Sequence, residues 1–346
     1  MAKRSTGARV LTVEWLRSQV ATKQQRARLL IIAIIVAVGS VFGYAALTAP
    51  GFLTIGNGIN MSERMAADII VAVAQTLVII GAGIDLSVGA VLAFSGSLTA
   101  VAFCYWGVHV WPAILLGLLA GIIIGSITGL LITKGGIPDF IATLGIMGTV
   151  RGLALILTKG LPVPSHVTAV KLRSYLPPEI IWLGNGKILG IPAALIISLI
   201  IVAVGWLILN HTAFGRALFA TGGNKTAAAV SGINVDFTKI KVYALSGLLS
   251  AMAGIILIGR MNSANALMAD EANLQSITAV VMGGTNLFGG QGGVIGSLFG
   301  ASVLGILRNI LNLHNVQDFA QRVFMGILII GVVLFDQLRR RYGQKR

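Results

Sequence analysis

Residues 76–94 read TLVIIGAGIDLSVGAVLAF. Apolar runs at 76–80 and 90–94 flank a seven-residue break, GIDLSVG, that carries a carboxylate at Asp85. At the centre of a membrane helix a carboxylate costs about 2.5–3.5 kcal/mol on insertion scales. Something in the break has to offset that cost. Gly83 and Gly89 permit the chain to leave and re-enter a helix, and Asp85 and Ser87 are both residue types that cap a helix start. The first four N–H groups of the following helix are unpaired and attract an anion. The stretch therefore reads as two apolar helices joined by a polar break, with Asp85 as an N-cap facing protein or water. One reading of the break is an ordinary short turn. The other is a polar element lining a pathway or holding a gate, since irregular backbone at membrane depth belongs where it lines a cavity.

The rest of the chain agrees with a membrane setting. Of its 346 residues, 56% are hydrophobic and only 11% charged, against about 25% charged in soluble domains. Apolar windows predict spans at 29–49, 65–84, 87–105, 112–133, 138–158, 189–209, 240–259, 275–289, 292–312 and 320–338. The expectation is an all-α membrane protein of about ten transmembrane helices with Gly-rich breaks and both termini cytoplasmic. In that arrangement 17 Lys and Arg face the cytoplasm and 7 face outward, with Arg151 and Arg308 inside spans. The bias follows the positive-inside rule.

The formal net charge of +15 does not point to nucleic acid, because much of it lies at the ends. Residues 1–28 carry seven Lys and Arg against Glu14, and residues 339–346 carry five. Such clusters are topology signals and suit anionic lipid. The organisation is thus a basic tail over 1–28, a transmembrane domain over 29–338 and a basic tail over 339–346. The N-terminus is not expected to be a cleaved signal peptide, because its basic region is too long and the apolar run after it is long enough to span. A single cysteine, Cys104, excludes an intrachain disulfide.

Catalytic and cofactor patterns are missing. GGNKT at 222–226 lacks the glycine a phosphate loop needs before its lysine, and the glycines of 283–296 do not form a dinucleotide fingerprint. The four histidines show no metal-ligand spacing, and no nucleophile elbow is present. The chain is expected to be no enzyme and to hold no cofactor or metal.

Two connections are long enough to carry function. The external one, about 159–188, contains GLPVPSH and YLPPEIIW and is proline-punctuated. The cytoplasmic one, about 211–241, holds Gly222 and Gly223, then Asn224 as an N-cap and a short helix from Lys225 to Val230 that Gly232 and Asn234 end. Lying on the inner face, it has the shape of a docking element or of a solvated loop. A second break, MGGTNLFGGQGGVIGSLFGA at 282–301, faintly echoes the first. Its later small residues suit tight helix packing, which leaves the glycines around Gly284, Thr285 and Asn286 unexplained. Arg151 and Arg308 are expected to snorkel or pair structurally, and Asp139, beside Pro138, is read as helix-start chemistry.

GIDLSVGAVLAFSG, PDFIATLGIMGTVRGLALILTKG, TAFGRALFATGGNKTAAAVSGINV, KVYALSGLLSAMAGIILIGRM and VVMGGTNLFGGQGGVIGSLFGA together resemble the permease subunits of bacterial ABC sugar importers. The ribose-type branch, related to the branched-chain amino-acid permeases, is the nearest in kind. The resemblance runs in order from about 60 to 338. It implies a multi-pass inner-membrane subunit, homodimeric or paired, that translocates a ribose-like pentose or a hexose. A periplasmic substrate-binding protein would deliver the sugar to its outer face, and a separate ATPase would bind its inner face and use the ATP. Gly222, Gly223, Asn224 and Ala227, Ala228 and Ala229 match the family's ATPase-docking segment, with Lys225 and Gly232 inside it. Gly83, Asp85, Ser87 and Gly89 match a family hallmark. A path for a neutral, hydroxyl-rich solute is expected to offer few polar groups and little net charge. Sibling permeases for a nucleoside, a signalling furanose or an amino acid share these residues. An ion-coupled secondary transporter would have Asp85 as its lone acidic candidate.

Overall fold

The computed structural model describes residues 40, 43–44, 46–165 and 172–344, with the side chains of 332–333 and 335–344 excepted. The expected tail at 1–28 and most of the first window at 29–49 lie outside the described residues. The chain divides into a short N-terminal unit, residues 1–53, and a main unit, residues 54–346. The main unit is a bundle of helices.

Helix α1 (Ile55–Ile80) starts ten residues before its predicted window, capped by Thr54, whose hydroxyl accepts from Asn57 N. Its polar first turns are held by side chains: Asn57 and Asn309 exchange amide hydrogen bonds of 3.0 and 2.9 Å. Helices α2 (Val88–Cys104), α3 (Val110–Thr133) and α4 (Asp139–Thr158) follow within two residues of expectation. The external connection carries a short helix, α5 (Pro178–Asn185), whose N-terminal proline is preset for a helix start. A hairpin of β1 (Lys187–Ile188) and β2 (Ile191–Pro192) then leads into α6 (Ala193–His211).

Two helices fill the next connection, α7 (Ala213–Gly223) and α8 (Lys225–Val230). The long helix α9 (Val235–Met261) is capped by Asn234 and terminated by Asn262 in the left-handed conformation. It packs on α1, α2, α3 and α5 and forms the centre of the fold. Its contact with α3 is backbone to backbone. Gly121, Gly125 and Gly129, spaced by one turn, leave room for the main chain at Gly247, Tyr243 and Ile240, the small-residue packing that lets helices associate in lipid.

The window at 275–289 needs correction. Helix α10 (Ala272–Met282) has 11 residues, roughly 16 Å at the helical rise, about half of the hydrocarbon thickness. Gly283 ends it, and a glycine-rich break leads to α11 (Val294–Leu313) and then α12 (Asp318–Gln344). The preceding segment, 262–271, folds into the bundle instead of staying outside it. A Cβ at Gly89, in the first turn of α2, would lie 2.7 Å from the Ala269 carbonyl oxygen. Among the described residues, five helices are long and apolar enough to cross a membrane: α3, α4, α6, α9 and α11.

Candidate functional site

The first break lies at the end of α1, and its hinge residue is not a glycine. Ala82 adopts the left-handed conformation (φ 55°), and the N–H groups of Ala82 and Gly83 close the helix on the carbonyls of Ile79 and Val78. Gly83 serves close approach instead: a Cβ there would lie 2.7 Å from both Asp139 Oδ2 and Tyr243 Oη.

Asp85 is buried, 3% exposed, and it is not the helix cap. Ser87 is the N-cap of α2. Asp85 Oδ1 accepts from the Ser87 amide (2.9 Å) and from the Ser87 hydroxyl (2.6 Å), and Oδ2 accepts from the Ser246 hydroxyl of α9 (2.8 Å). Three donors therefore compensate the buried carboxylate, as a buried charge requires. The expected compensation is present, but it comes from a turn and a neighbouring helix in place of α2's first N–H groups. Ser87 makes no side-chain cap to α2; its hydroxyl donates to Asp85.

Beside it lies a cluster that local reading left apart. Asp139, expected to do no more than start α4, accepts from Lys239 Nζ at 2.8 Å and from Tyr243 Oη at 2.9 Å. Thr143 Oγ1 donates to the carbonyl of Ile84 at 3.3 Å, within the break. Lys239, Tyr243 and Ser246 fall at i, i+4 and i+7 of α9, so one face of that helix supplies all three contacts. That polar stripe was the available signal. The break is thus bonded to α4 and α9 together.

The segment 222–232 folds as its sequence predicts. Asn224 Oδ1 accepts from Ala227 N at 2.9 Å, and Gly232 turns the chain at φ 83°. Helix α8 buries Ala228 and exposes Gly223, Asn224, Lys225, Ala227 and Ala229, with Val230 85% exposed. Gly222 is where the segment meets the bundle: a Cβ there would collide with the Ile80 carbonyl oxygen and stand 2.8 Å from Gly290 N. Gly290 N itself donates to Ile80 O at 2.9 Å. The start of the first break, the α7–α8 corner and the second break therefore meet at one junction.

Within the second break, Thr285 and Asn286 build the loop. Asn286 Oδ1 accepts from Phe288 N (2.8 Å), Asn286 N donates to Gln291 O (2.9 Å), and buried Thr285 accepts from Gly293 N (3.4 Å). Gly284 takes a positive φ of 86° at the surface. The two costly arginines are paired, Arg151 with Asp270 at 2.8 Å and Arg308 with Asp68 at 3.6 Å. Among the described residues no cluster of metal-ligating side chains occurs.

Comparison with known proteins adds the identity of this arrangement. The chain is 39% identical over 338 residues to the ribose import permease protein RbsC of Escherichia coli K12, covering 97% of this chain and 98% of that one. It is 41% identical over 288 residues to RbsC of Bacillus subtilis (83% and 87% covered), and 33% identical over 308 residues to the D-allose transport system permease protein AlsC of E. coli K12 (89% and 90% covered). No solved structure gives a significant match. The model of the branched-chain amino acid transport system / permease component family matches residues 57–333, and the chain belongs to that family.

Proposed function

We propose that the chain is the transmembrane subunit of an ATP-binding-cassette importer that carries a monosaccharide, a ribose-like pentose or a hexose, across the bacterial inner membrane. Similarity at nearly full length to permeases named for ribose and allose supports the substrate class. In this reading about ten helices over 29–338 build the membrane domain, α10 reaching only about half-way across, and the basic tails at 1–28 and 339–346 lie in the cytoplasm. A periplasmic binding protein delivers the sugar, a separate ATPase hydrolyses ATP, and two copies of the permease form the channel. This chain holds no cofactor of its own.

The observation that carries the mechanism is the junction of Ile80, Gly222 and Gly290. Exposed α8 is the docking element. A displacement imposed on it by the ATPase passes through the Gly222 contact to the end of α1 and to the break ahead of α11. Both breaks then shift together, and α10 between them changes its access to either side. Asp85 acts as a hinge brace. The hydroxyl and amide donors that occupy both its oxygens count against its use as a proton or sodium site.

The test is reconstitution of the permease with its ATPase and binding protein in liposomes, with labelled D-ribose, D-allose and D-fructose as substrates. Uptake of at least one that needs ATP and survives an uncoupler is expected. Uptake that continues without ATP and collapses with the ion gradient would overturn the reading in favour of a secondary transporter.

A further inference from the structure

The segment 262–271 is a strap that turns back along the bundle. Three contacts set α2 and the break before it against α9. Asp85 bonds Ser246, a Cβ on Gly254 would meet the Leu92 carbonyl oxygen, and a Cβ on Gly96 would lie 3.0 Å from Ile258 Cγ2. The offset in number is 161 or 162 each time, so α2 and α9 run parallel and in step. Gly89 therefore lies level with about residue 250 of α9. The Ala269 carbonyl oxygen, 2.7 Å from where Gly89 would carry its Cβ, stands roughly 15 Å back from Met261 along the axis, half of the hydrocarbon thickness. Asn262, at φ 50°, makes the turn, and Ala264 exchanges hydrogen bonds of 2.8 Å with Val163 of the external connection. Helix α10 thus begins near mid-depth and runs from there to the second break.

Two neighbouring carboxylates fasten the end of the strap. Glu271 takes Arg322 of α12 at 3.3 Å, and α12 packs on α10, so this pair joins parts already in contact. Asp270 takes Arg151 at 2.8 Å. Arg151 belongs to α4, which packs chiefly on α2. One further weak contact, Asn273 Nδ2 to Met147 Sδ at 3.6 Å, runs between α10 and α4.

The two sides of the Arg151–Asp270 pair are unequal. The Arg151 side chain is 14% exposed and that of Asp270 62%. A guanidinium so enclosed needs a counter-charge, and among the described residues Asp270 is the one carboxylate in ion-pair contact with it. Arg151 Nη1 has no hydrogen-bond partner among the described residues. Asp270, by contrast, can trade its arginine for water at little cost. The tie between Asp139 and Lys239 at the start of α4 is enclosed on both sides, with Tyr243 as a second donor. Ala269, just before Asp270, is held at φ 55°, a conformation uncommon for a residue with a Cβ and kept only where the surroundings impose it. The Gly89 contact and the Arg151 pair flank it and supply that constraint.

We infer that the Arg151–Asp270 pair is a releasable latch that holds the strap, and with it α10, against α4, and that it sets the resting rate of the ATPase. The two ends of α10 provide the route. Its start is latched to α4, and the break after its last turn is bonded to Ile80 at the junction with the docking segment. With the latch closed that junction is held. When the loaded binding protein engages the outer face the latch opens, α10 shifts, and the α7–α8 corner moves with it. The role rests on the importer reading above, and each of the two copies carries its own latch.

The test uses the complete complex of permease, ATPase and binding protein in liposomes. Asp270→Asn opens the latch. It is expected to raise ATP hydrolysis without binding protein about fivefold or more, the low end of ordinary coupling between sites, and to reduce further stimulation by sugar-loaded binding protein. Glu271→Gln removes an equal charge one residue away and is expected to keep the parent's resting rate. Arg151→Cys with Asp270→Cys, joined after reconstitution by a short bismaleimide, closes the latch permanently; the chain's own cysteine, Cys104, is buried. The joined complex is expected to ignore the binding protein and to lose uptake, and the unjoined one to hydrolyse ATP at the raised rate. Uptake by the joined complex at the unjoined rate would overturn the latch. So would a parent resting rate in an assembled Asp270→Asn complex, or an equal rise in Glu271→Gln. Failure of both Asp270→Asn and the double variant to assemble would mark the pair as a fixed tie and overturn it too. Uptake by the parent complex without ATP would overturn the importer reading instead, so the two failures are distinct.

Discussion

Replacing Gly222 with alanine puts a methyl group against the Ile80 carbonyl oxygen and beside the Gly290 amide, whereas a methyl group on Gly223 meets nothing within 4 Å. The two glycines are adjacent in one helix, so they share helix propensity and differ in what they touch. For Gly222→Ala, overpacking costs about 1–3 kcal/mol. Separating Gly290 N from Ile80 O forfeits about 0.5–1.5 kcal/mol more, giving a destabilisation of about 2–4 kcal/mol. For Gly223→Ala the lower entropy of the unfolded chain predicts a gain of about 0.4–1 kcal/mol. Thermal unfolding of the two purified variants in one detergent reads the difference, with Gly222→Ala expected several degrees below the parent and Gly223→Ala at or above it. ATP-driven uptake is expected to fall in the first and persist in the second. Equal midpoints, or the reverse order, would refute the three-way junction and the coupling route built on it.

Asp85→Asn is expected to retain the fold and most transport, because the amide oxygen still accepts from Ser87 and the amide nitrogen donates to Ser246. Asp85→Ala leaves those buried donors without their acceptor and is expected to lose about 2–4 kcal/mol. Comparing the thermal midpoints and uptake of the two variants separates hydrogen bonding from charge. Asn224→Ala removes the cap of a six-residue helix, about 1 kcal/mol, and is expected to lower ATPase co-purification while membrane insertion is unchanged. Tyr243→Phe removes one of two donors to Asp139 and is expected to cost about 1–2 kcal/mol, read as a lower midpoint. Lys239→Met strips a half-buried carboxylate of its cation and is expected to cost more than Tyr243→Phe.

Local pattern carried much of this structure. Hydropathy located α2, α3 and α4 to within two residues, and Asn224 with Gly232 delimited α8 because capping and turn chemistry act over three or four residues. The start of α1 was obscured because Asn57, Glu63 and Arg64 read as loop. They are helical because partners such as Asn309 lie far along the chain. Distance in sequence also hid the Asp139–Lys239–Tyr243 cluster, whose members sit about 100 residues apart. The segment 262–271 looks like a surface loop in composition, and its approach to Gly89 depends on a cleft that only the assembled helices create.

The glycine sockets between α3 and α9 bear on how the molecule can move. Side chains that interdigitate can slide by small rotamer adjustments, the shear motion of packed helices. Main chain seated directly on main chain has no such compliance. Here the sockets repeat every four residues, so the next matching register is a full turn away, roughly 5–6 Å. Intermediate positions collide. Helices α3 and α9 therefore form a stator, and α4, tied to α9 through Asp139, is anchored to it. Under the importer reading, rearrangement during a transport cycle is expected to fall to α10, α11 and the two loops that suspend them, a rotor of roughly 40 residues turning against a fixed frame.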